Sequence, residues 1–169
     1  ISAEDIGKLP DVSIAESLAR LPGLAGQRVA GRAQEIQIRG LSGDFAGTLL
    51  NGRQQVSTGD NRSVEFDQFP SELIGQVRVY KTPEARVIGG GLSGTIDMRT
   101  VRPLDFSSRA VALNARMESN SNGSLNADTS AKGKRFSVSY IDQFANRSIG
   151  VALGFAHLDT PGQELHYKA

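Results

Sequence analysis

Gly89-Gly90-Gly91-Leu92-Ser93-Gly94-Thr95-Ile96-Asp97-Met98-Arg99-Thr100 is the stretch on which the reading of this chain turns. Its first six residues spell G-x-G-x-x-G. A dinucleotide site needs a strand before that motif and a helix N-terminus after it, so that amide groups converge on a pyrophosphate. Here Pro83 stands six residues upstream, and Thr95–Arg99 reads as a strand rather than a helix. Gly89, Gly90, Gly91 and Gly94 therefore read as a structural turn, a chain reversal with the close backbone approach that glycine permits. Gly91-Leu92-Ser93-Gly94 also brushes a nucleophile elbow, without its G-x-S-x-G spacing or its strand-to-helix context.

Upstream of this turn the chain is irregular. Ser13 and Glu16 fit a capping box, Ile14, Leu18 and Leu21 share a face, and Pro22-Gly23 is a stop, which predicts a helix over Ser13–Leu21. Short strands are expected at Glu35–Arg39, Thr48–Leu50, Gln76–Tyr80 and Thr95–Arg99, with a turn at Asn51-Gly52 and a brief helix at Pro70–Ile74. A long polar loop, Arg53–Arg62, separates two of the strands; loops of that length in compact domains tend to be functional.

Downstream the rhythm changes to strict alternation. Val111, Leu113, Ala115 and Met117 oppose Ala112, Asn114, Arg116 and Glu118. Phe136, Val138 and Tyr140 oppose Ser137 and Ser139, with Ile141 fitting less well, and Ile149, Val151, Leu153 and Phe155 oppose Gly150, Ala152, Gly154 and Ala156. Each segment is about ten residues, the length of a tilted membrane-spanning strand. Ala145-Asn146-Arg147 is a tight turn, and Ser119–Ala131 is a long polar loop. Periodicity alone fits equally a soluble antiparallel sheet with one face on a core.

Composition narrows the functional classes. With no Cys, disulfide scaffolds, zinc fingers, iron–sulfur sites and thiol nucleophiles are excluded. The net charge of +1 gives no field that favours nucleic acid. No apolar run approaches the ~18 residues of a membrane helix. The two histidines, His157 and His166, both lie outside the glycine-rich half, so neither a catalytic triad nor a metal site with Asp159 or Glu164 is expected. No catalytic residue, cofactor or resident metal is assigned. Asn61-Arg62-Ser63 and Asn146-Arg147-Ser148 are chance matches to a glycosylation sequon.

The first half nevertheless carries an ordered series. Ile1–Ile6 with Leu9-Pro10-Asp11 is followed by Leu21-Pro22-Gly23, Ile38-Arg39-Gly40-Leu41, Leu49-Leu50-Asn51-Gly52-Arg53 and Pro70–Ile74. Then come Val77–Pro83, the Gly89–Thr100 stretch and Arg102–Phe106. This series resembles the plug domain of TonB-dependent outer-membrane receptors, most closely the proteobacterial branch that includes many carbohydrate transporters. The resemblance implies an α+β plug domain with a small mixed sheet over residues 1–106. Residues 107–169 are then the first three antiparallel strands of a transmembrane β-barrel of about 22 strands. Three strands cannot close a barrel, since the smallest have about eight. On that reading the chain is a fragment of a longer one, in a Gram-negative outer membrane.

The resemblance also implies roles. Ser119–Ala131 becomes an extracellular loop, Ala145–Arg147 a periplasmic turn, and a further long loop starts near Thr160-Pro161-Gly162. The plug loops around residues 28–32, 42–45 and 54–62 face the substrate, with Arg32, Ser42, Asp44, Phe45, Gln55, Thr58, Asp60, Asn61 and Arg62 as candidate contacts. Hydroxyl, amide and charged groups with one aromatic suit an oligosaccharide; a siderophore or other metal chelate is the competing substrate. Arg39 and Arg78 are candidates for bidentate pairing with carboxylates of the barrel wall. The implied partners are outer-membrane lipid, a surface lipoprotein, and TonB with ExbB and ExbD, engaged by strand addition through a segment upstream of Ile1. A free soluble recognition module and a signalling receptor with an extra upstream domain remain as alternatives.

Overall fold

The computed structural model describes residues 14–29, 32–69, 71–88, 90–125, 128–160 and 162. The chain divides into two compact units, Ile1–Arg102 and Pro103–Ala169.

The first unit opens with α1, Ile14–Ala19, which buries Ile14, Ala15, Ser17 and Leu18. The helix is shorter than Ser13–Leu21, and the cap expected at Ser13 lies outside the described residues. Its end is a turn over Leu21–Leu24, with Gly23 at φ 77 and Leu24 N donating to Leu21 O at 3.1 Å. Proline second and a left-handed glycine third is the pattern of a type II turn. It launches β1, Leu24–Val29, a strand the alternation does not announce, which pairs antiparallel with β2, Arg32–Ile38. Arg39 is not the end of that strand, as expected, but the start of a turn. Arg39 has φ 57 and Gly40 φ 77, and Leu41 N donates to Ile38 O at 3.1 Å. Two successive left-handed residues make a type I′ reversal.

A four-stranded mixed sheet follows, in the order β4-β3-β6-β5. It comprises β3 (Ala46–Leu50), β4 (Arg53–Gln54), β5 (Ile74–Tyr80) and β6 (Gly94–Thr100). β3 and β6 are parallel, and the other two pairings are antiparallel. Asn51 (φ 52) and Gly52 (φ 78) close the β3–β4 hairpin as their sequence suggests. Because β4 continues that hairpin, Arg53 and Gln54 belong to the sheet and not to the polar loop. The brief helix expected at Pro70–Ile74 is a 3-10 turn over Ser71–Leu73, and Ile74 already opens β5; Pro70 lies outside the described residues.

β6 is buried continuously from Gly94 to Met98, as a central strand covered on both faces must be. Ile96 and Met98 meet Ile14 and Leu18 of α1, Ile36 and Ile38 of β2, Val77 of β5, and Phe66 from a 3-10 turn, in one core. On the other face Asp97 is buried, its carboxylate held by Arg99 Nε at 3.0 Å and Gly52 N at 3.3 Å.

The second unit is a meander, β7 (Ala110–Ser119), β8 (Lys132–Phe144) and β9 (Ile149–Asp159). Val111, Leu113 and Ala115 stand opposite Tyr140, Val138 and Phe136, and these in turn oppose Leu153, Phe155 and His157. One face is therefore apolar and uncovered, with Leu113 69% and Leu153 62% exposed. The other carries Asn114, Arg116, Ser137, Ser139, Gly150 and Gly154. Ten residues at ~3.4 Å, tilted by ~45°, rise about 24 Å, close to the apolar band of a bilayer.

Among the described glycines of the first unit, Gly91 meets backbone most closely, a Cβ there lying 2.0 Å from Gly94 O and 2.2 Å from Gly47 N. At Gly90 the nearest atom to such a Cβ is 3.8 Å away. Gly91→Ala is expected to destabilise the unit by about 1–3 kcal/mol, read as faster amide exchange at Ile96 and Met98. Gly90→Ala should leave those rates at the parent value; equal effects from the two substitutions contradict the packing at Gly91.

Candidate substrate-contact loops

The loops of interest gather at the end of the mixed sheet where β3 and β6 begin. A 3-10 turn, Gly43–Phe45, leads into β3, and Ser93 N donates to Phe45 O at 3.0 Å. After β4 the chain returns to the same end, with Gln55 N bonded to Thr48 O at 2.9 Å. The segment 81–93 lies there too, because β5 ends at Tyr80 opposite Thr95. Tyr80, Lys81, Glu84, Val87, Leu92 and Thr95 are among the residues lining a cleft of about 430 Å³ there.

Asp44 ties two of these loops together. Its Oδ1 accepts from Arg62 N at 2.9 Å and Ser63 N at 3.1 Å, and its Oδ2 faces Ser42 Oγ at 3.3 Å. Gly43 sits where a side chain would strike Ser63, with a Cβ 2.0 Å from Ser63 Oγ, so the approach of the loops is close. Asn61 extends the connection to β2 by donating Nδ2 to Glu35 Oε1 at 3.0 Å. That donation gives the buried Glu35 carboxylate a partner.

A second carboxylate organises the 57–61 segment. Glu65 Oε1 lies 2.8 Å from Ser57 Oγ, and Oε2 accepts from Thr58 N at 3.3 Å and Gln68 Nε2 at 3.4 Å. Gln68 Nε2 also reaches Thr58 Oγ1 at 2.9 Å, and Ser57 Oγ accepts from Gly59 N at 2.9 Å. Burial works against the charged form of Glu65. The hydrogen bonds from Ser57 and from nearby backbone amides outweigh it and hold the carboxyl below its usual range.

The sequence-derived residues thus fall into two groups. Ser42, Asp44 and Thr58 bond within the loops and shape them, and Asn61 ties them to β2. Phe45, Asp60 and Arg62 are exposed, and among the described residues the side chains of Asp60 and Arg62 have no partner. Gln55 donates back to the carbonyls of Arg53 and Gln54. Arg32 opens β2 opposite Val29, and its side chain lies outside the described residues. In the same hairpin Arg28 reaches Glu16 at 3.7 Å.

Arg39 projects from its turn, exposed, while its amide bonds to Gly23 O at 2.8 Å. Arg78 is exposed on β5, with Nε on Gln76 Oε1 at 2.9 Å. Of the glycine turn, Gly90 and Gly91 lie in the 81–93 segment, Gly94 (φ 147) opens β6, and Gly89 lies outside the described residues. His157 is exposed on β9, and His166 lies outside the described residues. No group of three or more His, Cys, Asp or Glu side chains that could hold a metal ion occurs among the described residues.

Sequence reasoning missed Glu35, Glu65 and Gln68. Glu35 and Asn61 are separated by 26 positions, and no local pattern announces that they meet. A carboxylate wedged between the apolar Val64 and Phe66 was the available signal for Glu65.

A small mixed-sheet domain bearing clustered polar loops, followed in the chain by antiparallel strands with an apolar face, is the element order of a plug domain and the first strands after it. Residues 1–95 match the TonB-dependent Receptor Plug Domain family, and the chain belongs to that family. Among solved structures it is similar to the copper transporter OprC, with 24% identity and a TM-score of 0.53 over 80% of this chain. It is also similar to the FrpB iron transporter from Neisseria meningitidis (F3-3 variant), with 15% identity and a TM-score of 0.50 over 92% of this chain. The matched regions are 20% and 30% of those two chains, so this chain spans a minor part of their length.

The Glu65 carboxyl titrates below its ordinary value of 4.5, so its contribution to the 57–61 segment is complete above that value. The contribution is lost as pH falls through the lowered folded value. Amide exchange at Thr58 and Gly59, corrected for intrinsic rates, should therefore be flat at neutral pH and accelerate in the acid range. Glu65→Gln should remove that acid step; an acid step of the same size in the variant contradicts the assignment.

Proposed function

We propose that this chain is the gate of an energised uptake system in a Gram-negative outer membrane. The plug occupies a barrel of which β7–β9 are the first strands. The observation that carries this reading is the pairing of a receptor plug with strands whose apolar face is left uncovered and whose length suits a bilayer. Substrate binds over the loops at residues 42–45 and 54–62, together with extracellular barrel loops. Binding shifts the plug, and TonB, driven through ExbB and ExbD, pairs with a segment N-terminal to it by strand addition. A surface lipoprotein is a further partner on this reading. Arg39 and Arg78, both exposed, pair with carboxylates of the wall.

The substrate class we favour is an oligosaccharide. Residues 1–106 contain no Cys or His, and Met98 is fully buried, so the plug offers no soft metal ligand. What it does present is hydrogen-bonding side chains around Phe45, a ring on which a sugar can stack. A metal chelate carrying its own ligand shell is the second reading, favoured by the copper and iron transporters among the structural neighbours.

In the full-length receptor, a combined Phe45→Ala, Asp60→Ala and Arg62→Ala replacement is expected to weaken binding of the transported substrate at least tenfold. Growth on candidate oligosaccharides, compared with growth on iron or copper chelates, identifies that substrate; unchanged affinity in the triple variant removes the loops from the binding site. Arg39→Ala should leave expression intact and increase proteolysis of the plug and leakage through the barrel. Parent-like proteolysis and leakage count against wall pairing.

A further inference from the structure

The turn joining β8 to β9 is strained and does more than reverse the chain. Ala145, Asn146 and Arg147 have φ 51, 54 and 64, three successive non-glycine residues in the left-handed region. Each such residue carries a conformational cost, and a run of them persists only where other contacts impose it. Within the turn, Ser148 N and Oγ both donate to Ala145 O, at 3.2 Å and 2.6 Å. Its remaining bonds go to the segment that precedes β7. Arg147 Nη2 donates to Phe106 O at 2.7 Å and Leu104 O at 3.2 Å, and Nη1 to Ser107 O at 3.3 Å. Gln143 Nε2 donates to Pro103 O at 2.8 Å. Four backbone carbonyls of Pro103–Ser107 are thus held by two side chains. Gly150 admits the segment edge-on, since a Cβ there would lie 2.8 Å from Pro103 Cβ and 2.9 Å from Leu104 Cδ2.

A guanidinium suits such a clamp, because its donors sit in a rigid planar fork and keep their charge at any relevant pH. Charge-assisted hydrogen bonds are also roughly twice as strong as neutral ones. The clamped segment is the connector between the two units, whose boundary falls between Arg102 and Pro103. We propose that Arg147 and Gln143 are positioning residues that make Pro103–Ser107 a fixed terminus for plug movement. This rests on the reading of the chain as a plug moved by force. Tension entering at the N-terminus can then shift or unravel the first unit as far as Arg102, while the connector and β7 stay in place.

The test is single-molecule pulling on the full-length receptor in a supported bilayer, from its N-terminus. In the parent, the last release before barrel strands are extracted should end at Arg102. With Arg147→Ala and Gln143→Ala combined, it should lengthen by residues 103–109, about 24 Å at ~3.4 Å per residue. Gln143→Ala alone, which leaves the turn untouched, should lower the force at which residues 103–109 come free without changing the barrel peaks. Ser148→Ala, which removes a bond of the turn but none of the connector, should keep the parent length. Equal lengths in parent and double variant overturn the proposal, as does a double variant whose only change is easier extraction of β7–β9. The traces need neither substrate nor TonB, so a failed uptake assay and a failed clamp are separate results.

Discussion

The parallel pairing of β3 with β6, Ala46–Leu50 against Gly94–Met98, is the constraint on which the first unit depends. Parallel neighbours cannot be joined by a hairpin, so the chain between Leu50 and Gly94 has to travel the length of the sheet and return. It does so through β4, the 55–65 segment and β5. The return journey leaves loops at the end where β3 and β6 start. The clustering of Phe45, the 57–62 segment and the 81–93 segment is therefore a consequence of topology before it is a matter of residue choice. The same pairing explains why glycine recurs at that end: Gly47, Gly91 and Gly94 stand where two chain directions converge on β6.

Elements whose signals are local were legible in the sequence. Asn51-Gly52 specified a reversal because both positions are left-handed, and the alternation of 110–119, 132–144 and 149–159 specified strands and their faces. Elements decided by distant partners were not. β1 carries Gly26 and exposes Ala25, Gln27 and Arg28, so its pattern is weak; it exists because β2 supplies its ladder and α1 its cover. Arg39 looked like the last residue of a strand, yet the glycine after it completes a type I′ pair that a bulky cation joins only under tertiary compulsion. In the loops, residue types were readable and their division of labour was not. Asp44 and Asn61 were read as candidate ligand contacts, and the sequence does not announce that they also bond to Ser63 and Glu35, 19 and 26 positions away.

The second unit poses the opposite problem, a surplus of unsatisfied surface. Among the described residues β7 and β9 each pair on one side only, and an open edge of that length invites further strands. Large side chains on the apolar face have nothing over them, Met117 being 92% exposed. The reverse face is small or polar, with Asn114 Nδ2 and Ser137 Oγ 3.5 Å apart. A soluble sheet would bury its apolar face and wet the polar one. A barrel wall sends the apolar face to lipid and turns the polar one to the lumen, which is the assignment the family supports.

Within the first unit, core and loops differ in what would have to break for them to move. The core around Phe66, Ile96 and Met98 is apolar and continuous, and truncating one large member to Ala costs about 2–5 kcal/mol. The loops above it are held instead by a few hydrogen bonds to Asp44 and Glu65, each worth about 1.5–3 kcal/mol when the acceptor is charged. A ligand that competes for those carboxylates can rearrange the loops without disturbing the core, so recognition and gating need not share an energy scale. Displacing β5 or β6 would break the ladders that each shares with its neighbours as well as the apolar core. Within the first unit, then, the loops can rearrange at a much smaller free-energy cost than the core beneath them.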